Sequence, residues 1–321
     1  MSHSATTPDD MTMTARIPSH EDDRPLIYVN GQIVPKSQAM VSVYDHGLLY
    51  GDGVFEGIRV YNGRIFKAQQ HLDRLWASAA SINMKIHISR EEMLAIQRRC
   101  IEVNGIENGY IRLVVTRGVG TLGLNPLLCP TPGIICIADQ ISLYPRELYE
   151  EGMKVLVAER PRIPVACLDP RIKSLNYLNN ILAKSEALER GMFEVVMLNL
   201  DGYVCEGSGD NIFIIKDGEL FTAPKDASIL EGITRRFVIE ELCPSLGVRV
   251  HEELFKVETL LDADEIFLTG SAAEIIAVTE VQERASRGGA TTRISMGEGP
   301  VTKRLRDAFT RVVTSRDVPE D

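Results

Sequence analysis

The stretch "IRVYNGRIF", residues 58–66, sets Asn62-Gly63 between two runs of branched and aromatic residues. Both residues of the pair tolerate the positive φ of a two-residue turn, so the stretch predicts a tight β-hairpin. The same signal recurs in "LIYVNGQIV" (26–34), "VMLNLDGYVCEG" (196–207) and "FIIKDGELFT" (213–222). Helical patterns lie between these hairpins. In "SREEMLAIQRRCIEVNG" (89–105), Ser89 and Glu92 form a capping box. Met93, Ile96, Cys100 and Val103 then fall on one face, and Asn104-Gly105 is a stop. "GITRRFVIEELCPSLG" (232–247) and "PVTKRLRDAFTRVV" (300–313) also read as helices. Hairpins mixed with helices imply an α+β class with largely antiparallel sheet.

Two hairpin-and-helix blocks flank "DQISLYPRELYEEG" (139–152), where the pattern breaks and a linker is expected. The expected organisation is a tail over 1–25, a small domain over 26–138, the linker, a larger domain over 153–314 and a tail over 315–321. A chain of 321 residues suits two domains. Its net charge of −10, without a basic stripe, argues against nucleic acid or an anionic membrane as partner. No apolar run approaches the ~18 residues of a membrane helix. The six cysteines show no CxxC and no metal-ligand spacing, which predicts reduced thiols and a cytoplasmic location. The first 25 residues are polar and contain five acids, so no export signal is expected.

Four stretches carry chemistry. "DPRIKSLNYLNNILAKSEAL" (169–188) runs from loop to helix, with Leu175, Leu178, Leu182 and Leu188 near one face and Lys173 at the helix mouth. Lys173 is one of ten lysines, and a solvated surface charge is the ordinary fate of such a residue. Burial, a neighbouring positive charge or a helix amino end would instead make it a nucleophile toward carbonyls. "GYVCEGSGDNIFII" places Glu206 after a strand, either as an edge carboxylate or as the fixed partner of a pyridine nitrogen. "SILEGITRRF" and "FLTGSAAEII" put Gly232-Ile233-Thr234 and Gly270-Ser271-Ala272 where free amides at helix starts could hold an anion. Such sequences are also common caps. Arg74, in "QQHLDRLWASAA", could complete a phosphate site or be a solvated helix arginine. There is no dinucleotide fingerprint and no P-loop, so the phosphate would not be that of NAD or ATP. Pyridoxal phosphate requires a lysine, a carboxylate, an arginine and anion-binding turns, but composition alone does not choose that cofactor.

In order along the chain, "YGDGVFEGIRVYNG" (50–63), "HLDRLWASA" (71–79), "YIRLVVTRGVGTLGLNP" (110–126), "IKSLNYLNN" (172–180), "YVCEGSGDNIF" (203–213), "ILEGITR" (229–235) and "TGSAAEI" (269–275) resemble the fold-type IV pyridoxal-phosphate aminotransferases. Among these they resemble the branched-chain amino acid aminotransferases. The resemblance spans about residues 26–313. It implies a two-domain fold with a small α/β N-terminal domain and a larger C-terminal pseudo-barrel domain. It also implies ping-pong transamination between L-leucine, L-isoleucine or L-valine and 2-oxoglutarate. By the resemblance, Lys173 is the Schiff-base lysine that also moves the proton, and Glu206 faces the pyridine nitrogen. Arg74, Leu230, Ile233, Thr234 and Ser271 surround the cofactor, and Tyr177 contacts its phenolic oxygen. Tyr177 stands four residues after the lysine, where some members have five. Phe55, Gly57, Tyr110, Arg112, Ser271 and Ala272 match substrate positions. Tyr50 and Leu124 match residues donated across a dimer, so a homodimer is the implied minimum.

The chain departs from the pattern in three places. Ser271 stands for a threonine, Ala277 for a frequent proline, and Tyr144 is the nearest aromatic to a tryptophan missing between the domains. Rival readings within the fold are a D-amino acid or amine transaminase and an aminodeoxychorismate-lyase-like enzyme. Arg117 of "TRG" is reminiscent of the D-specific carboxylate trap, but Val119 stands where a histidine would help. A non-catalytic dimeric cofactor-binding protein is the rival from another class.

Overall fold

The computed structural model describes residues 23–141, 144–283, 291–293 and 297–315. Residues 1–22 and 316–321 of the expected tails lie outside the described residues. The first sheet comprises β1 (Leu26–Val29), β2 (Gln32–Pro35), β3 (Gly53–Tyr61), β4 (Arg64–Ile65), β5 (Gly109–Thr116) and β6 (Gly133–Asp139). Its order is β2-β1-β6-β5-β3-β4, antiparallel throughout. Helix α1 (His46–Tyr50) precedes β3, and α2 (Ala68–Ser81) and α3 (Arg90–Asn104) cover one face. Period-two alternation along β5 sends Ile111, Leu113 and Val115 into that helix-covered core. Tyr110 and Arg112 leave on the other face, which is the wall of the site. Leu72, Leu75 and Met93 fill the core from the helices, each contributing roughly 1.5–3 kcal/mol of burial. The capping box of α3 is formed by both of its bonds, and Gly105 ends the helix in the left-handed region.

The chain then runs through α4 (Arg146–Glu151) and β7 (Met153–Val157) to α5 (Leu178–Leu188), followed by β8 (Glu194–Leu198), β9 (Val204–Glu206), β10 (Asn211–Lys216) and β11 (Glu219–Thr222). Helix α6 (Ile233–Phe237) continues through a π turn (Val238–Leu242) into α7 (Cys243–Leu246). After β12 (Val250–Glu252) and α8 (Val257–Leu261) come β13 (Glu265–Gly270), β14 (Glu274–Gln282), β15 (Thr291–Arg293) and α9 (Pro300–Thr314). Six strands close in the order β10-β13-β14-β7-β8-β9, with β9 returning to β10. Val155, Val196, Val204, Ile212, Leu268 and Ile276, one from each of the six, belong to a single cluster, which is the barrel interior. The fold is therefore two-domain α+β. Its sheet is largely antiparallel, and the pairs β14–β7, β7–β8 and β11–β12 are parallel.

Three of the predicted hairpins carry the two-residue turn, with positive φ at Asn30-Gly31, Asn62-Gly63 and Asp217-Gly218. The fourth differs. Between Leu198 and Val204, Asn199 Oδ1 accepts from the amides of Asp201 (3.1 Å) and Tyr203 (2.9 Å), and this longer turn displaces the expected two-residue one. Residues 232–247 do form a helix, with the ladder widened just ahead of Pro244, which lacks the N–H for an ordinary bond. Within the expected linker, α4 forms a short helix because Leu148 and Tyr149 pack on the barrel cluster. Six residues are too few for a readable period.

Candidate active site

Lys173 lies in a strand-like segment, not at a helix mouth. Phe55 N donates to Lys173 O (3.0 Å) and Leu175 N to Gly53 O (2.9 Å), so β3 holds the lysine from both sides. The Lys173 amide donates to Ser78 Oγ at 3.1 Å. Helix α5 begins only at Leu178, with Tyr177 at its N-cap. The leucine face of this stretch is turned outward. Leu178, Ile181, Leu182 and Leu188 are exposed, and α5 buries Asn180, Ala183 and Ala187. Lys173 Nζ donates to Tyr177 Oη at 3.1 Å and sits 4.5 Å from the Phe55 ring centroid. The four-residue spacing thus brings the tyrosine hydroxyl to the amine.

These groups line a cavity of about 240 Å³ that residues of both sheets share. Glu206, at the end of β9, is 4% exposed. Its Oε1 accepts from Arg162 Nε at 2.7 Å, and its Oε2 from Asn211 Nδ2 (3.1 Å) and Leu230 N (3.0 Å). Burial pushes this carboxyl up, with Arg162 working against burial. Arg162 and Asn211 were not evident in the sequence, because their partner lies elsewhere in the chain.

Arg74 grips Glu56 with both arms, Nε to Oε1 at 2.8 Å and Nη2 to Oε2 at 2.7 Å, and its Nη1 donates to Glu231 O at 2.8 Å. Against burial, which raises it, Arg74 and then His71 hold the Glu56 carboxyl far below the usual range. His71, pushed toward its neutral form chiefly by burial, gives its Nδ1–H to Glu56 at 2.7 Å. The signal for Glu56 was an acid inside the apolar run "GVFEGIRV". Arg74 has five N–H donors and these bonds use three of them, so two remain for the cavity it lines.

Ile233 and Thr234 open α6 behind Gly232, which supplies no side-chain cap, so among the described residues no capping side chain claims the first amides of the helix. Gly270-Ser271-Ala272 is a different structure from the expected helix start. It belongs to the hairpin turn between β13 and β14, whose register closes at Gly270 opposite Glu274. That antiparallel register leaves no room for a helix. Ser271 and Ala272 still line the cavity.

On the other wall, Arg112 lies over the rings of Phe55 (4.8 Å) and Tyr110 (5.5 Å). A Cβ on Gly57 would stand 1.7 Å from Tyr110 Oη, so only glycine admits that hydroxyl. Tyr50 and Leu124 are exposed and do not line this chain's cavity; Tyr50 Oη accepts from Gly123 N at 2.9 Å. Arg117 also lies outside. Asp52 takes its Nε and Nη2 at 2.8 and 2.9 Å, and the carbonyls of Ile82 and Asn83 accept from Nη2 at 2.7 Å and Nη1 at 3.1 Å. Among the described residues there is no group of three or more metal-ligating side chains.

The family described as amino-transferase class IV matches residues 53–281. The chain belongs to the class IV aminotransferases. A Methanocaldococcus jannaschii relative is 46% identical over 288 residues, 90% of this chain and 96% of its own. The crystal structure of the branched-chain amino acid aminotransferase of E. coli superimposes with a TM-score of 0.85, at 33% identity, covering 92% of this chain and 99% of that one. A branched-chain amino acid aminotransferase from T.th., with pyridoxamine 5'-phosphate, gives 0.83 at 34% identity, over 91% and 94%. This aminotransferase is also 33% identical, over 91% of its length and 99% of the relative's, to the D-alanine aminotransferase of Staphylococcus aureus.

Proposed function

We propose that the protein transfers the amino group of L-leucine, L-isoleucine or L-valine to 2-oxoglutarate, giving branched-chain 2-oxo acids and L-glutamate in ping-pong order. Pyridoxal 5'-phosphate is the cofactor. The observation that carries this reading is one cavity holding the Lys173 amine, the buried Glu206 carboxylate and the uncapped amides of α6. Those residues fit the group: the uncapped amides and the spare Arg74 hydrogens suit a phosphate, and Glu206 suits a protonated ring nitrogen. When bound, pyridoxal phosphate supplies an aldehyde for an amine to join and a ring that accepts the electron pair left on Cα.

The chain's own residues do the rest. Lys173 would hold the cofactor at rest, and its amine when free would move the proton to and from Cα. Tyr177 hydrogen-bonds the amine and orients it. Glu206, anchored by Arg162 and Asn211, holds the ring proton in place. Arg74, Ile233, Thr234 and Ser271 would hold the phosphate, and Leu230 would line the cofactor's place. Phe55 and Gly57 shape the aliphatic pocket. Tyr110 and the Ser271-Ala272 turn take the α-carboxylate, and Arg112 takes the second carboxylate of glutamate.

The same reading makes the protein a homodimer in the cytoplasm. Met40, Val43, Leu48, Leu122, Leu124 and Leu127 are exposed apolar residues, as are Leu178, Ile181, Leu182 and Leu188 of α5, a surface suited to a second copy that brings Tyr50 and Leu124 to the site. The D-specific reading is less favoured because Arg117 is already occupied by Asp52. The test is a half-reaction on the purified holoenzyme, adding L-leucine or D-alanine and following the absorbance of the bound cofactor. Conversion by L-leucine alone is expected. Conversion by D-alanine alone would transfer the protein to the D-specific reading.

A further inference from the structure

At one end of the cavity four polar side chains meet that the reaction above does not use. Tyr144, from the segment joining the two sheets, is buried and sets its hydroxyl between two buried acids. Its Oη lies 3.1 Å from Glu194 Oε2 on β8 and 3.1 Å from Asp210 Oδ2, just ahead of β10. Lys184 Nζ on α5 donates to the same Glu194 Oε2 at 3.2 Å. Glu194 Oε1 accepts from the amides of Val195 (2.9 Å) and Ser208 (2.8 Å).

A phenol hydroxyl has one proton and can donate to one acceptor. If both acids were ionised, one of the two contacts would set lone pair against lone pair. Glu194 receives an ammonium and two amides, all donors only, so Glu194 is the acceptor of the tyrosine proton. Asp210 must then carry a proton of its own and donate it to Tyr144 Oη. Tyr144 is the hydrogen-bond partner of the Asp210 carboxyl among the described residues. Its Oδ1 rests on Gly270, where a Cβ would lie 2.1 Å away. Burial, and then Glu194, push the Asp210 carboxyl up to about 7, while Lys184, Tyr144 and Lys173 act against them. Tyr149, on α4, also faces its charge.

We propose that protonated Asp210, Tyr144 and Glu194 form a clasp that holds Tyr144, just ahead of α4, against the cavity as a wall of the substrate pocket. Ile141 also lines that cavity. Loss of the Asp210 proton leaves Tyr144 one donor for two anions and turns a negative charge toward Glu194, so the wall loosens. The direction follows from the raised pKa: the clasp is whole at pH 6 and is lost as pH rises through about 7. Asp210 and Tyr144 act as positioning residues, on substrate affinity and not on the proton transfer at Lys173.

The inference rests on the transaminase reading, and the test separates the two. In the holoenzyme, KM and kcat for L-leucine are measured at pH 6 and 8 for wild type, Asp210→Asn and Tyr144→Phe. Deuterium uptake of the Tyr144–Glu151 peptide is followed alongside. An Asn side chain donates at every pH. Relative to Asp210→Asn, the wild-type KM should therefore rise about tenfold between pH 6 and 8, with kcat in constant ratio and peptide uptake rising. Tyr144→Phe should show a raised KM at both pH values. Parallel KM profiles with equal uptake in wild type and Asp210→Asn overturn the clasp. If Asp210→Asn does not fold, a Tyr144→Phe profile parallel to wild type overturns it instead. Absence of turnover with L-leucine in the wild type overturns the transaminase reading, while the exchange comparison still decides the clasp.

Discussion

Arg59 Nη2 on β3 donates to Glu274 Oε1 on β14 at 2.9 Å, across the boundary between the two sheets, and Tyr61 Oη donates to the same oxygen at 2.7 Å. Glu274 is the first residue after the Ser271–Ala273 turn and holds a φ of +60°, a conformation that L side chains rarely adopt. Two bonds from the first sheet thus fix the turn that belongs to the second. Glu274→Ala should cost about 1.5–3 kcal/mol in denaturant unfolding, the range for bonds to a charged group. It should also weaken cofactor retention in dialysis. Unchanged values of both would mean that the turn holds itself.

Lys173→Ala should abolish transamination while leaving the fold intact by circular dichroism. Full activity in that variant would sink the mechanism.

Glu206→Gln should keep the cofactor bound but slow turnover by orders of magnitude, since the amide offers no fixed charge to the ring nitrogen. It also leaves Arg162 facing a neutral group in a buried site, so a stability loss of several kcal/mol is expected alongside. An unchanged kcat removes Glu206 from its role.

Arg74→Ala should raise the dissociation constant for pyridoxal phosphate and also destabilise the apo protein. It strands Glu56, which is fully buried and among the described residues keeps His71 as its remaining charged partner. Arg74→Ala with Glu56→Gln should recover much of the stability and none of the cofactor affinity. Recovery of both would mean that Arg74 serves Glu56 alone.

The parts of the fold that could be read along the chain are those decided within a few residues. The Asn62-Gly63 turn and the Ser89–Glu92 capping box are local geometry, and both formed as expected. Where two local structures share a composition, the sequence did not discriminate. Gly-Ser-Ala suits a helix start and a hairpin turn alike, and only the pairing of β13 with β14 chose between them. The periodicity of α5 showed an apolar face but not what lies against it, so the same leucines that resemble a core stripe are exposed. At the site, the candidate residues were legible as ordered motifs. Their partners were not, because Arg162 and Glu206, or Tyr144 and Asp210, meet only after the barrel has closed.

The closure of that barrel has one weak place. Strands β9 and β10 pair through Asn211 opposite Glu206 alone, and a cylinder of strands has no free edge only while every seam holds. When this pair parts, the backbone groups of Glu206 and Asn211 are bared, while Val204 N stays on Phe255 O at 2.9 Å. The Glu206 side chain, which accepts from Asn211 Nδ2 at 3.1 Å, ties the two strands together at this seam. Enzyme stripped of its cofactor and warmed should precipitate by edge-to-edge association before its interior packing fails.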